Sequence, residues 1–389
     1  MQWEMEKCML GADLLIEEFV EKYQKETILL LKELASVPAP SHHEEQRGEF
    51  CLKWIKEQGA ADAYMDEAGN VIVPYYCQEN RKCVAVMAHM DVVFPDTTPF
   101  LVVEDPQRLA APGIGDDTAN LVNLLMCIKF VMQNHLVPAD MGILFVANTC
   151  EEGLGNLKGS NAVFKHYGNR IVEMMSFDLY LNFLVNIAVG SHRYRITVKT
   201  RGGHSYEDFG NVSAVKVLSD IIQDLYRIQV PKRGKTTYNV GTISGGTSVN
   251  TIAEFAEMCY EFRSDDQYSF TYMVKALQQV IDLHQSREAD VQAELLGIRP
   301  CSSKISSGRL EALVKRQSGI IRKYTNKPVQ IISGSTDANI PLSMGIPAVT
   351  FGTVAGGGAH TYEEWIEKES MITGQKIALA SVLYYFNLV

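Results

Sequence analysis

The 389-residue sequence has no run of basic residues, and its net charge is −10, with 36 Lys and Arg against 46 Asp and Glu. Nucleic-acid binders present a basic face, so no nucleic-acid partner is expected. No stretch approaches the roughly 18 uninterrupted apolar residues that a membrane span needs, and no membrane partner is expected either. The first residues lack the basic-then-apolar order of a secretory signal and carry Glu4, Glu6, Asp13, Glu17, Glu18 and Glu21 instead. The eight cysteines contain no CxxC pair and stand mostly among apolar neighbours. That usage excludes a disulfide framework and reads as free thiols in a reducing cytoplasm, with Cys150 taken as packing. Internal repeats and low-complexity tracts are absent.

What remains is 46% hydrophobic and 21% charged, the balance of a globular enzyme with a sizeable core, and the length favours two domains. Helical spacing covers residues 17–35, ended by Pro38 and Pro40, and residues 45–58, stopped by Gly59. Apolar runs at 71–76, 84–88 and 141–147 read as strands, the last two buried on both faces, with a helix over 120–133 between them. Strands alternating with helices predict an α/β sheet flanked by helices. The middle reads differently: strand-like 194–199, 237–243 and 254–262 alternate with helical 212–228 and 268–284, the order of a split ferredoxin-like α+β unit. An inserted domain is therefore placed at 190–301, between two parts of the first domain at 1–189 and 302–389. Residues 330–332 and 348–351 return to buried-strand character, and a helix over 374–386 closes the chain.

Five polar sites stand at the ends of these strands or in glycine-rich loops beyond them, the edge where open α/β sheets bind ligands. His89-Met90-Asp91 follows strand 84–88; residues two apart share a face, and a metal-bound imidazole needs a carboxylate to orient it. Gly113-Ile114-Gly115-Asp116-Asp117-Thr118 delivers two carboxylates to a helix start, where either could instead be an N-cap. Thr149-Cys150-Glu151-Glu152-Gly153 puts two glutamates past a buried strand, costly there unless a cation, a proton or solvent meets them. Asp178 sits in an apolar context at 174–179. His360 follows Gly356-Gly357-Gly358-Ala359, where glycine either brings backbone close to a ligand or simply makes a turn. Each pattern alone has an ordinary structural explanation. Together they supply two histidines and four or five carboxylates, a donor set suited to zinc, manganese or cobalt.

These residues resemble the co-catalytic zinc peptidase family that includes peptidase T, glutamate carboxypeptidase and the aminoacylases. The likeness runs in order through His89-Met90-Asp91, Gly115-Asp116-Asp117, Glu151-Glu152-Gly153, Gly202-Gly203-His204-Ser205 and His360-Thr361. Ser335-Thr336-Asp337-Ala338-Asn339 and Gly345-Ile346-Pro347-Ala348 look like the peptidase T branch. The resemblance implies a zinc-exopeptidase-like mixed sheet flanked by helices, with a ferredoxin-like lid and dimerisation domain inserted. It implies two divalent ions per chain, zinc with cobalt or manganese as alternatives: His89 and Asp178 on one, Glu152 and His360 on the other, Asp117 bridging. Thr118 and Asn120 depart from the lysine and small residue usual after the bridge.

The same likeness makes Glu151 the general base, Asp91 the residue holding His89, and His204 an oxyanion donor reaching a partner subunit of a homodimer. Asn250 and Arg263 resemble substrate-touching residues, although either also suits a structural hydrogen bond, and Gly357 and Gly358 offer backbone N–H groups. The expected function is metal-dependent hydrolysis of an amide bond in small peptides, as a tripeptidase-like aminopeptidase. The alternatives are an N-acyl-amino-acid hydrolase, deacetylase or carboxypeptidase with the same metal site, and a metal-free scaffold protein of the same descent.

Overall fold

The computed structural model describes residues 2–78, 80–303, 305 and 307–388. The chain divides into two compact units, Met1–Asn186 with Lys304–Val389, and Ile187–Ser303. In the first unit, α1 (Gln2–Ser36) and α2 (Glu45–Glu57) precede the sheet. Gly59 stops α2: its φ of 103° suits glycine, and its N–H meets the Lys56 carbonyl at 3.0 Å. The chain continues through β1 (Tyr64–Met65), β2 (Val71–Tyr75), β3 (Cys83–His89), α3 (Ala119–Gln133), β4 (Gly142–Asn148), α4 (Lys158–Tyr167), β5 (Ile171–Phe177) and β6 (Phe183–Ala188).

The second unit contains β7 (Gly190–Thr200), α5 (Ala214–Arg227), β8 (Thr236–Gly245), β9 (Phe255–Ser264), α6 (Gln267–His284) and β10 (Ala289–Arg299). Its antiparallel sheet has the spatial order β8-β9-β7-β10, the ferredoxin-like arrangement. Every second residue of β9 is buried, as a sheet with helices on one face requires. The unit has its own core, built around Ile196, Leu218, Ile221, Phe262 and Met273. Its entry and exit lie side by side, where Ala188 N–H donates to Ser302 Oγ at 2.7 Å.

The first unit resumes with α7 (Ser307–Thr325), β11 (Gln330–Gly334), β12 (Ala348–Phe351) and α8 (Ser370–Leu383). Among the described residues its large sheet has eight strands in the order β1-β2-β4-β3-β5-β12-β6-β11. The central four, β4, β3, β5 and β12, run parallel; β2 runs antiparallel to β4, and β6 antiparallel to β12. All of β3 and β4 is buried, which their unbroken apolar runs require. α3 touches β3, β4 and β5 as well as α1 and α8, so it keeps almost no solvent face. Residues 330–332, expected to be buried, instead begin the outermost strand of the sheet, where Ile331 is 52% exposed. No helix among the described residues is long and apolar enough to cross a membrane.

β4 lies on one side of β3 and the next strand, β5, on the other. That reversal opens a crevice at the carboxyl ends of the strands. Behind it, Gly374 of α8 packs so tightly that an added Cβ would lie 1.4 Å from the Thr353 carbonyl oxygen. Gly374→Ala should therefore cost about 1–3 kcal/mol or more, read as a lower melting temperature; a melting curve matching the parent's would contradict this packing.

Candidate metal centre

His89 ends β3 and is almost fully buried. Its Nδ1 lies 3.0 Å from the Asp91 backbone oxygen and 3.5 Å from Asp91 Oδ1, which turns Nε2 toward the crevice. Asp91 is wholly buried and accepts three further bonds: from Ser41 Oγ at 2.6 Å, and from the backbone N–H groups of Glu151 and Glu152 at 2.9 Å each. One carboxylate thus fixes both the imidazole and the loop after β4. Asp178 follows β5, and its N–H is held by the Phe351 carbonyl of β12 at 3.1 Å. His360 lies beyond β12, with φ 63° and a half-exposed ring.

Asp116 Oδ1 stands 3.2 Å from His89 Nε2, and its Oδ2 stands 3.1 Å from His360 Nε2. The side chain between the two imidazoles is therefore Asp116 and not Asp117, the residue expected there. The reason is local: Asp116 has extended φ −115° and ψ 85° inside an otherwise helical turn, so the adjacent carboxylates diverge. Asp117 instead accepts the His89 backbone N–H at 3.0 Å. Donor atoms of His89, Asp117 and Asp178 fall within 4.8 Å of one another, as do those of His89, Glu151 and Glu152, and those of Asp116, Glu152 and His360.

Burial opposes charge on His89, but Asp117, Asp116 and Asp91 outweigh it and hold its pKa well above the ordinary value. Hydrogen bonds to Asp116 and Glu152 raise His360 to about 10. Burial and the charge of Asp116 lift Asp178 to about 7, and burial with the charges of Asp178 and Asp116 holds Asp117 well above the ordinary carboxylate value. Among the described residues, the buried Asp117 Oδ1 has no donor within good hydrogen-bond geometry, an arrangement that suits a cation. With two imidazole nitrogens among oxygen donors, the residues fit a pair of divalent transition ions.

Several supporting residues carry no recognisable motif. Arg47 of α2 is fully buried and donates to the carbonyls of Val37 and Met90 and to Thr118 Oγ1. Asn120 bonds the Leu179 and Gly115 carbonyls and accepts from Thr353 N–H and Oγ1. Glu44 accepts the Cys150 N–H and thiol; burial, with Glu44 beside it, pushes that thiol up to about 12 and makes it a poor nucleophile. Glu364 accepts backbone N–H groups of the loop before α3. Its only sequence signal is its place as the second of two glutamates between Tyr362 and Trp365, four positions after His360.

The remaining expected residues fall elsewhere. His204, Asn250 and Arg263 belong to the second unit, where His204 and Asn250 are exposed and Arg263 pairs with Glu261 at 3.0 Å. Gly357 ends the two-residue strand Gly356–Gly357, and Gly358, with φ 79°, follows it before His360.

A profile of the peptidase family M20/M25/M40 matches residues 85–384. The chain belongs to this family. It is thus a metallopeptidase or related amide hydrolase, and M20/M25/M40 membership accounts for the order of its motifs. Its fold matches a tripeptidase from Staphylococcus aureus with a TM-score of 0.75 at 20% identity, over 93% of this chain and 98% of that one. Aminopeptidase PepT from Bacillus cereus matches with 0.71 at 18% identity, over 94% and 98%. An M20 family metallo-carboxypeptidase from Sulfolobus solfataricus matches with 0.74 at 16% identity, over 93% and 99%. The cytosol non-specific dipeptidase of Escherichia coli is 37% identical over 67 residues, which span 16% of this chain and 14% of that protein.

These charges set a pH dependence. The ordinary pKa of His89 and His360 is 6.5 and both are raised in the fold. Their contribution to stability is full below that value and is lost as pH climbs through the raised ones. For Asp178 the charged form is penalised, so stability also falls as pH rises toward about 7. Chelator-treated protein should melt at progressively lower temperature from about pH 6 to 9, and saturating divalent metal should flatten that trend. A melting temperature that climbs across the window would refute the charge assignment.

Proposed function

We propose that this chain removes the amino-terminal residue of short peptides, tripeptides above all, with water activated by two divalent cations. One observation carries the reading: a single buried-side carboxylate, Asp116, with one oxygen toward each of two imidazoles. His89 and Asp178 would hold one ion, Glu152 and His360 the other, with Asp116 shared between them in place of Asp117. Zinc is the proposed metal, and cobalt or manganese should substitute.

Bound there, the ion pair supplies an acidic water and a polarised scissile carbonyl. Glu151, almost fully buried, with its backbone fixed on Asp91, takes the water's proton and returns it to the leaving amine. Asp91 keeps His89 oriented throughout. His204 Nδ1 accepts the N–H groups of Tyr206 and Glu207 at 3.3 Å each, which puts the ring proton on Nε2. That proton is the proposed donor to the oxyanion of a partner subunit's substrate, in a homodimer formed through the inserted unit. Asn250, Arg263, Gly357 and Gly358 are the proposed substrate contacts; Arg263 would share its guanidinium with Glu261. The tripeptidase preference is supported by the segment 335–339, whose Asp337 accepts Asn148 Nδ2 at the end of β4 at 2.7 Å. A cytoplasmic setting is supported by seven free cysteines among the described side chains.

The deciding experiment is a panel of tripeptides, dipeptides, N-acetyl-amino acids and carboxypeptidase substrates, with and without zinc, manganese or cobalt. Fastest turnover of tripeptides from the amino end is expected, and exclusive cleavage of acetylated amino acids would replace the peptidase reading with a deacylase. Glu151→Gln should keep its metal and lose about 10²- to 10⁴-fold in kcat; activity near the parent's would remove Glu151 as the base. His204→Ala should lose rate at unchanged metal content, and full turnover would end its proposed role.

A further inference from the structure

Glu364 is fully buried, and no cation pairs with it among the described residues. Its Oε2 accepts the Gly113 N–H at 2.8 Å. Its Oε1 accepts the N–H groups of Gly115 at 3.1 Å and Asp116 at 2.8 Å, and the Tyr180 hydroxyl at 3.1 Å. The residue's backbone is fixed as well: its oxygen accepts the Ala111 N–H at 3.1 Å, and its N–H meets the Thr361 carbonyl at 3.2 Å. Three ligand-bearing segments therefore end on one side chain: the loop of Asp116, the turn in which Tyr180 follows Asp178, and the loop of His360.

The fit leaves no slack. A Cβ at Gly115 would lie 2.8 Å from Glu364 Oε1 and 3.0 Å from the Tyr180 hydroxyl oxygen, so glycine is required where the loop crosses the carboxylate.

We propose that Glu364 is the positioning residue of the metal pair, setting Asp116 between the two imidazoles by gripping its backbone from the His360 loop. This rests on the two-metal reading above. Glu364→Gln keeps the size but turns an amide N–H₂ toward one of the N–H donors. Tyr180→Phe removes one of the four donors and leaves the carboxylate in place.

The test is titration of chelator-stripped parent and both variants with cobalt(II) alone, against a competing chromogenic chelator. Stoichiometry, Kd and the visible cobalt spectrum are read alongside the melting temperature of the metal-free protein. The parent should take up two ions. Glu364→Gln should weaken at least one about 10- to 100-fold and change the cobalt spectrum, and Tyr180→Phe should weaken binding by a smaller factor. A role confined to stability would lower the melting temperature and leave Kd and spectrum alone, and that result overturns the proposal. Should Glu364→Gln fail to fold, Tyr180→Phe decides by the same reading, with parental affinity as the overturning result. A parent that binds no cobalt would refute the two-metal reading itself, and this inference with it.

Discussion

Carboxylates repel one another, and the repulsion is strongest where water has been excluded. Asp91, Asp116, Asp117, Glu152, Asp178 and Glu364 nevertheless converge on the carboxyl edge of β3, β4 and β5, most of them buried. Some are quieted locally, as Asp91 is by Ser41 and two backbone N–H groups. Asp116 and Glu152 meet the two imidazoles, while Asp178 and Asp117 are driven toward their protonated forms. Divalent cations remove that conflict. The need for them explains why the backbone around the edge is so heavily tied: opposed charges must be held in place before the ions that reconcile them arrive.

The sequence made part of this legible for physical reasons. β3 and β4 are continuous apolar runs because both faces are covered, and His89 and Glu151-Glu152 stand where such runs meet polar residues. β5 is harder to see because Glu173 interrupts it. That glutamate is matched by Arg316 of α7 and by Tyr385, partners far along the chain that no local pattern reveals. The choice between Asp116 and Asp117 lies outside composition altogether: the residues are identical and adjacent, and one backbone conformation decides which faces both imidazoles. The order of elements at 190–301 was readable because strands of alternating burial and amphipathic helices follow one another there. Glu364 and Arg47 escaped because each acts on backbone atoms, which leave no signature in residue type.

The two positions that depart from the family's usual residues have visible work. Thr118 donates to the Gly113 carbonyl at 2.7 Å and receives Arg47 at 3.3 Å, which closes the turn that presents Asp116. Asn120 spans from the Gly115 and Leu179 carbonyls to Thr353, so the first turn of α3 is tied both to the Asp178 segment and to the exit of β12. A lysine and a small residue could not make these bonds.

β12 fills the seam between β5 and β6, although it is made more than 160 residues after β6. On a ribosome, β6 emerges with no neighbour to pair with, and the inserted unit that follows it can close on its own core long before the large sheet is whole. Only when the last stretch of chain threads back into that gap do the strand edges disappear and the second imidazole reach the first. Translation order thus makes metal capture a late event, and a chain cut short before residue 348 would present two unpaired strand edges and half a cation site.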